Sequence, residues 1–193
     1  MKKKSFLQKF VGEWSTQTVV TVAIGAALFG VLMNYGGIQI FTNTSLTTAM
    51  IVPVVVGALY GPLPAAVAAG IGNVIADIIG GWGQYPAWSI ANAVAAMFIG
   101  ALPLYGAYIN EGKFTTKHII IYVACVIVGN AVAFGVVAQV FTVIFEGGDM
   151  NVSLYQGLFA SLGNILVETI IGIPVISLLA NRNKSRNNLT EEE

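Results

Sequence analysis

Two carboxylates lie inside long apolar stretches of this sequence, and they are the side chains best suited to chemistry. Asp77 follows Asn73 by four residues, and Glu168 follows Asn164 at the same spacing. Because residues four apart share one face of a helix, each acid is expected to lie beside an amide. Each pair therefore predicts a polar patch on an otherwise apolar helix.

These acids have no basic partner nearby, since the apolar stretches contain no Lys or Arg. A carboxylate within a membrane span costs about 2.5–3.5 kcal/mol and usually faces a cavity or a partner. Each acid is therefore protonated, paired with a polar side chain or directed at a ligand. For Asp77, ligand binding or gating and a structural hydrogen bond both fit. Glu168 can in addition contact a partner subunit. The polar side chains available for pairing include Asn92, Asn130 and Gln139.

Other reactive residue types are scarce. The only histidine, His118, follows Lys117 at the end of an apolar stretch, and the only cysteine, Cys125, lies within one. The sequence has no phosphate-binding Gly-x-x-x-x-Gly-Lys-Ser/Thr motif and no His and Cys spacing suited to a metal. The basic stretches also lack the interleaved aromatic residues expected of a nucleic-acid surface. We therefore predict no catalytic residue, no metal, no cofactor and no nucleic-acid partner.

Aromatic residues are concentrated in a glycine-rich segment at 80–88, which holds Trp82, Tyr85 and Trp88. Their flat rings suit stacking on a planar ligand, but Trp and Tyr also collect at membrane interfaces. The segments 36–44 and 146–156 are also rich in small and polar residues. A polar pocket covered by these three segments is a binding-site hypothesis.

The elements that position these residues are strongly apolar. Of 193 residues, 56% are hydrophobic and 9% are charged, whereas a soluble domain has about 25% charged residues. The composition predicts an integral membrane protein, because too few polar residues remain to cover a water-facing surface. Only helices or closed barrels cross lipid, and these segments do not alternate in polarity as barrel strands do. The predicted fold class is all-α.

The basic residues predict the topology. All nine lie in short stretches at 2–9, 113–117 and 182–186. Because cytoplasmic loops carry the excess of Lys and Arg, we predict that all three stretches are cytoplasmic. An even number of spans then separates each from the next. Residues 1–15 and 181–193 become the cytoplasmic ends of a single transmembrane domain over 1–193.

Six apolar segments fit this topology, of which the second and third are shorter than the roughly 17 residues that a span needs. The Gly61-Pro62-Leu63-Pro64 run predicts a sharp turn between them. They form either two short transmembrane helices, which we favour, or one re-entrant hairpin. The predicted spans are Thr18–Tyr35, Ser45–Tyr60, Ala65–Ile79, Ala87–Tyr108, His118–Phe145 and Leu154–Ala180.

The first predicted span also carries small residues at close-packing spacing. Ala23 and Ala27 lie four apart, and Ala26 and Gly30 repeat that spacing. Small residues let membrane helices approach closely. The stripe therefore serves either internal packing or contact with another subunit.

Five segments of the sequence stand out together: Ala-Ile-Gly-Ala-Ala-Leu-Phe at 23–29, Asn-Thr-Ser-Leu-Thr-Thr-Ala at 43–49, Tyr60-Gly-Pro62, Gly-Asn-Val-Ile-Ala-Asp at 72–77 and the aromatic segment to Trp88. They resemble the S components of energy-coupling-factor (ECF) vitamin transporters, and the riboflavin-type group among them. The resemblance covers about residues 18–182. Where that group is expected to have Gly-His and a Lys before the Asp, this chain has Gly72-Asn73 and Ala76.

The resemblance implies six helices and an outer-face site for a water-soluble vitamin or vitamin precursor, such as riboflavin or cobalamin. The implied partners are a transmembrane coupling subunit and two ATPase subunits in the plasma membrane of a prokaryote. In this family an Ala-xxx-Ala pattern on the first helix docks onto the coupling subunit, and Ala23 and Ala27 match it. The implied transport step is a toppling of the subunit in the membrane.

We therefore hypothesise the S component of an ECF-type importer. Its amides and its carboxylate would form hydrogen bonds with the ligand, while its rings would stack on it. The predicted pocket residues are Asn43, Asp77, Trp82, Tyr85, Trp88, Asn92, Gln139 and Asn164.

Two other functions also fit the composition. A proton-coupled carrier acting alone would use Asp77 and Glu168 as proton carriers, although the sequence shows no clear internal repeat of the kind such carriers often have. A membrane scaffold without a small-molecule ligand would use the same helices for assembly only. The resemblance favours the importer subunit over both.

Overall fold

The chain folds into a bundle of apolar helices with one β-hairpin. The computed structural model describes residues 5–42 and 44–191. The strands are β1 (Gly37–Phe41) and β2 (Thr44–Thr47). Short 3-10 turns lie at Thr48–Met50, Leu102–Tyr105 and Ile109–Glu111, and a π turn at Ala133–Val137 joins α6 to α7. The helices are α1 (Phe6–Val11), α2 (Thr16–Tyr35), α3 (Ile51–Tyr60), α4 (Pro62–Gly80), α5 (Pro86–Ile99), α6 (Thr116–Val132), α7 (Ala138–Phe145), α8 (Met150–Ile170) and α9 (Gly172–Glu191).

Five helical stretches in the described part of the chain are long and apolar enough to cross a membrane. The predicted second span is the exception, because Thr48–Tyr60 is a shorter apolar helix. Its 13 residues rise about 20 Å, against a hydrocarbon core of about 30 Å. The helical membrane bundle is confirmed, and six crossings with cytoplasmic ends remain a prediction. The five stretches are Thr16–Tyr35, Pro62–Gly80, Pro86–Tyr105, Thr116–Phe145 and Met150–Asn187.

The short helix α3 lies in the interior of the bundle. Val54, Val56 and Ala58 are buried. Gly57 meets Gly100 so closely that a Cβ on Gly57 would lie 2.5 Å from the Gly100 Cα. Because neighbouring helices cover α3, the polar backbone groups at its ends are shielded from lipid by protein. The helix therefore need not reach both membrane surfaces.

A single residue, Gly61, separates α3 from α4. Its φ of +99° lies in the region that favours glycine. Pro62 then begins α4, where the first backbone N–H has no helical partner to lose. The predicted turn is therefore present at Gly61 alone, whereas residues 62–64 begin α4, which extends beyond the predicted span Ala65–Ile79 at both ends.

The segment after α2 forms a β-hairpin, whereas residues 36–44 were expected to be a loop. Antiparallel pairing joins Ile38 to Leu46 and Gln39 to Ser45. The predicted second span is also wrong at its start, because residues 45–47 belong to β2. The alternation of Ile38, Gln39 and Ile40 favours a strand, but it is too short to stand out beside the helical runs.

Two other predicted spans differ at their ends. α5 ends at Ile99 rather than Tyr108, and 3-10 turns continue the chain past Pro103. The last span is interrupted at Ile171, because Pro174 has no N–H to donate to the preceding helical turn. α9 then runs on to Glu191, so residues 181–191 of the expected polar tail are helical.

The described residues of the three basic stretches meet at one end of the bundle. Lys9 Nζ and Lys113 Nζ lie 5.4 and 5.9 Å from the centre of the Tyr108 ring. On α9, Asn183 Nδ2 donates to Ile109 O across 3.1 Å. We call this the basic end, formed by α1, residues 101–115 and the last turns of α9.

The opposite end is formed by the hairpin, residues 81–85 and residues 146–149, and we call it the hairpin end. Gln156 Nε2 on α8 donates to Thr42 O in the hairpin across 3.0 Å. Phe41 stacks on Phe159 of α8 with ring centres 4.8 Å apart. The hairpin is thus fastened onto α8 rather than projecting freely.

Candidate functional site

A chain of polar side chains joins α4 to α5 near the hairpin end. Asn92 Nδ2 donates to Asn73 Oδ1 across 2.9 Å and to Trp88 O across 3.0 Å. Asn73 Nδ2 in turn donates to Ser89 Oγ across 3.1 Å. These bonds fix the two helices against each other and occupy the nitrogen of Asn92. The Asn92 oxygen has no hydrogen-bond donor among the described residues.

Two carboxylates hold the start of α5. Asp77 lies one turn beyond Asn73 on α4, and its Oδ2 accepts a hydrogen bond from Tyr85 N across 3.2 Å. From the loop after α7, Glu146 Oε1 accepts from Ala87 N across 2.9 Å. Both bonds satisfy amides at a helix N-terminus, where negative charge is favoured. Asp77 is only 5% exposed, so the acid points into the protein.

Of the three predicted aromatic residues, two are exposed at the surface of the hairpin end, which we call the rim, and one points into the protein. Trp82 and Tyr85 are 53% and 44% exposed. Trp82 lies over Gly80, where a Cβ would come within 2.6 Å of its ring. Trp88 instead packs inward on Phe134, with ring centres 5.7 Å apart. Two rings are therefore free to meet a ligand, and the third supports the core beside the site.

Gln139 on α7 is held by two backbone carbonyls. Its Nε2 donates to Phe134 O across 2.8 Å and to Ser153 O across 3.0 Å. Phe134 lies in the π turn, where the backbone N–H of Ala138 donates to the carbonyl of Ala133, five residues earlier. This shifted pattern leaves the carbonyl of Phe134 available to a side chain. Gln139 Oε1 and the nearby Thr142 Oγ1 and Ser153 Oγ are buried without a hydrogen-bond partner in the described part of the chain.

Asn164 lies on α8 where the hairpin crosses it. The preceding residue, Gly163, leaves room for Leu46 of β2, which would be 3.2 Å from a Cβ at that position. Asn164 is 7% exposed and makes no side-chain hydrogen bond within the described residues. Its amide is thus available beneath the hairpin. The predicted pocket residue Asn43 falls outside the described residues.

Glu168 belongs to a different part of the bundle. It is fully buried, and its Oε2 accepts a hydrogen bond from Asn130 Nδ2 across 2.8 Å. Tyr122 Oη donates to the backbone oxygen of Glu168 across 3.2 Å. Asn130 lies near the middle of the continuous helical stretch formed by α6, the π turn and α7, Thr116–Phe145. The suggested contact with a partner subunit is wrong, because no face of Glu168 reaches the surface.

The side chains at the hairpin end can make hydrogen bonds and stacking contacts. They offer amides, hydroxyls and carboxylates around aromatic rings. Among the described residues, no group of three or more His, Cys, Asp or Glu side chains is placed to hold a metal ion. The site can therefore recognise a small polar molecule through hydrogen bonds and stacking.

Comparison with known proteins identifies the family. The model of the family described as "ECF-type riboflavin transporter, S component" matches residues 13–181. The chain belongs to this family of S components. UPF0397 proteins of Aliivibrio fischeri (strain MJ11) and Vibrio vulnificus (strain YJ016) are 34% and 33% identical to this S component over 92% of its length. The matches cover 97% and 98% of those relatives.

Solved structures of S components have the same fold as this one. FolT bound with folic acid matches with a TM-score of 0.55 and 16% identity, over 87% of this chain and 96% of that chain. The S component for biotin from an ECF-type ABC transporter matches with a TM-score of 0.57 and 16% identity, over 93% and 95%. At this identity the likeness concerns the fold.

The small residues on α2 of this S component divide between two faces. Gly25, Ala26 and Gly30 are buried, and a Cβ on Gly30 would lie 2.5 Å from Ile75 of α4. Ala23 and Ala27 are exposed on the opposite side. The close-packing stripe therefore separates into an inner surface that holds α4 and an outer surface with no partner in the described chain.

Sequence reasoning missed several polar residues of this site. Ser89, Thr142 and Ser153 gave no signal, because single hydroxyl residues are common in apolar helices. Asn73 was noted as the neighbour of Asp77 but not as a pocket residue. Glu146 could have been found, since it is one of three acids that lie at the hairpin end of a chain with few charges.

Proposed function

We propose that this S component captures a water-soluble vitamin or vitamin precursor at the hairpin end and delivers it inward. Its partners in this proposal are a transmembrane coupling subunit and two ATPases. The hairpin end would face outside the plasma membrane of a prokaryote, with six crossings and the basic end in the cytoplasm. Family membership and the folic acid and biotin S components support this function.

The observation that carries the proposal is the polar network at the hairpin end of an apolar bundle. Each polar group within a membrane protein is costly unless it is hydrogen-bonded. Gln139 Oε1 is buried without a partner, and the amide of Asn164 makes no hydrogen bond in the described chain. A polar ligand enclosed by the hairpin and the loops would satisfy such groups.

The proposed roles follow from where each side chain lies. Asp77, Asn92, Gln139 and Asn164 would bind the polar atoms of the ligand. Trp82 and Tyr85 would stack on it from the rim, while Trp88 would line the inner wall beside Phe134. Asn43 stays a proposed contact from its position in the sequence.

Docking on the coupling subunit would use the outer face of α2. Ala23 and Ala27 are exposed, and their small side chains would let a partner helix approach closely. Toppling of the subunit would carry the hairpin end inward. The described residues at that end include no Lys or Arg, which agrees with such a movement, since Lys and Arg resist transfer through lipid.

Thermal unfolding in detergent, measured against a panel of water-soluble vitamins and precursors, tests the proposal. A ligand that binds only the folded state stabilises it by about 2.7 kcal/mol at a hundredfold excess over its Kd. We expect one compound to raise the melting temperature and Asp77→Asn to weaken that effect. Unchanged affinity in Asp77→Asn would remove Asp77 from the site.

Transport into vesicles gives the second arm of the test. We expect uptake only when the coupling subunit, the ATPases and ATP are present. Uptake by this chain alone, driven by a proton gradient, would contradict the proposal and favour a stand-alone carrier.

A further inference from the structure

Among the residues that the structure describes, those at the hairpin end carry only negative charge. Every Lys, Arg and His in the sequence lies at 2–9, 113–118 or 182–186, and those that the structure describes belong to the opposite end. The acids near the hairpin are Asp77, Glu146 and Asp149. A cleft lined by charges of one sign concentrates ligands of the other sign.

Asp77 and Glu146 are each held by a hydrogen bond to one carboxylate oxygen, which leaves the other oxygen able to accept more. Asp77 Oδ2 and Glu146 Oε1 accept hydrogen bonds from amides only two residues apart, Tyr85 N and Ala87 N. These bonds fix both carboxylates at the start of α5. Their second oxygens, Asp77 Oδ1 and Glu146 Oε2, have no hydrogen-bond donor in the described part of the chain. An ionised carboxylate can accept about four hydrogen bonds, so both retain capacity for a ligand.

Further polar groups lie on α7, one and two turns before Glu146. Gln139, Thr142 and Glu146 follow the i, i+3, i+7 spacing that places residues on one helix face. Gln139 is 2% exposed and its nitrogen is occupied by two carbonyls, so only its oxygen remains. That oxygen and the Thr142 hydroxyl have no partner among the described residues. This face of α7 therefore offers acceptors to a molecule that brings donors.

We propose that the ligand is an organic cation with N–H or O–H donors, such as a charged amine, an amidine or a quaternary aromatic ring. This inference rests on the proposed function and names the class of its substrate. Asp77 and Glu146 would face the positive charge, and the Gln139 oxygen would accept a hydrogen bond from the ligand. Trp82 and Tyr85 at the rim suit a cation as well, because aromatic faces attract positive charge. An anionic ligand would meet repulsion from both carboxylates.

The first test compares ligands of different charge on the purified full chain. Calorimetric titrations would use thiamine and pyridoxamine as cations, riboflavin and pyridoxine as neutral compounds, and biotin, folate and 4-pyridoxate as anions. The three pyridoxine-type compounds share one ring and differ in the charge of one substituent. We expect a cationic probe to bind and any neutral analogue to bind at least about tenfold more weakly. Added salt should lower the affinity for the cationic probe.

The outcomes separate this inference from the function on which it rests. If a neutral or anionic compound binds as tightly as every cation or tighter, the cation proposal is overturned and the S-component function stands. If the folded protein binds no compound of any charge class, both are overturned.

The second test removes one charge at a time. Glu146→Gln keeps an oxygen for Ala87 N and loses the charge, so we expect about a tenfold higher Kd for the cationic probe. Asp149→Asn is the matched control, because it removes the same charge from the same loop. Asp149 Oδ1 caps α8 through Asn151 N and Val152 N, and Asn caps a helix equally well.

We expect Asp149→Asn to change the Kd by less than about twofold, as for an exposed charge outside the site. An equal rise in Kd for both variants would show a general effect of surface charge and would overturn the proposed cation site. An unchanged Kd in Glu146→Gln would do the same. Asp77→Asn repeats the test from α4, so that the result does not depend on one variant folding.

Discussion

The side-chain nitrogen of Gln139 lies 2.8 Å from the backbone oxygen of Phe134, a carbonyl within the π turn. The same nitrogen reaches Ser153 O on α8 at 3.0 Å. One amide thus closes the irregular turn and joins it to the neighbouring helix. The irregularity between α6 and α7 is therefore stabilised by a side chain of the proposed site.

Replacing Gln139 with Met is expected to destabilise the protein. The change keeps the size of the side chain but leaves the carbonyls of Phe134 and Ser153 without their donor, at a cost of about 1–3 kcal/mol. The melting temperature without ligand measures this, and the exposed neighbour substitution Val140→Met is the control. Equal melting temperatures for the two variants would contradict a supporting role for Gln139.

Two tryptophan substitutions should have different effects. Trp82 is exposed at the rim, so Trp82→Ala is expected to weaken ligand binding and leave the melting temperature nearly unchanged. Trp88 is partly buried and packs on Phe134, so Trp88→Ala is expected to cost up to about 3 kcal/mol of stability, the lower end of the range for fully buried aromatic residues. Titration and thermal unfolding of both variants separate the effects. A large loss of stability in Trp82→Ala would show that its ring is part of the core.

The outer face of α2 can be tested without disturbing the site. The double substitution Ala23→Trp and Ala27→Trp is expected to abolish co-purification with the coupling subunit, because large rings prevent close helix approach. Ligand affinity should stay unchanged. Leu28→Trp is a suitable control, since Leu28 is exposed on the same helix but about 100° round from Ala27. Normal assembly of the double variant would exclude this face as the docking surface.

Glu168 is expected to support the fold without taking part in binding or proton transport. Glu168→Gln keeps an oxygen for Asn130 Nδ2, so we expect a loss of less than about 1 kcal/mol. Glu168→Leu removes that acceptor and should cost about 1–3 kcal/mol. Thermal unfolding measures both, and ligand affinity serves as the control. Loss of transport in a stable Glu168→Gln variant would instead assign a proton-carrying role to this acid.

The large features of the fold were predictable because they depend on composition. Long apolar runs predicted the helices, and Gly61 with Pro62 predicted the turn between α3 and α4. The hairpin was missed because its alternating residues span only 37–47. The π turn also has no clear sequence signal, since Ala133–Val137 is as apolar as its neighbours.

The site was predictable only in part, for a related reason. Charged and aromatic residues are rare enough in this chain to identify Asp77 and Trp82 by type alone. Pairings between distant segments are not visible in one sequence. The bond from Ala87 N to Glu146 joins residues 59 positions apart, and only the folded bundle brings them together. Burial likewise separated Trp88 from the exposed rings.

The two faces of α2 have a consequence for how this protein can evolve. Gly30 is constrained by Ile75 of α4, the helix that carries Asp77, and Gly25 by α3, whereas Ala23 and Ala27 are exposed on the other side of α2. Mutations that reshape the ligand site can therefore accumulate without altering the outer surface of the helix. Selection for a new ligand at the proposed site and selection for an unchanged partner at the proposed docking face would then act on the same helix independently.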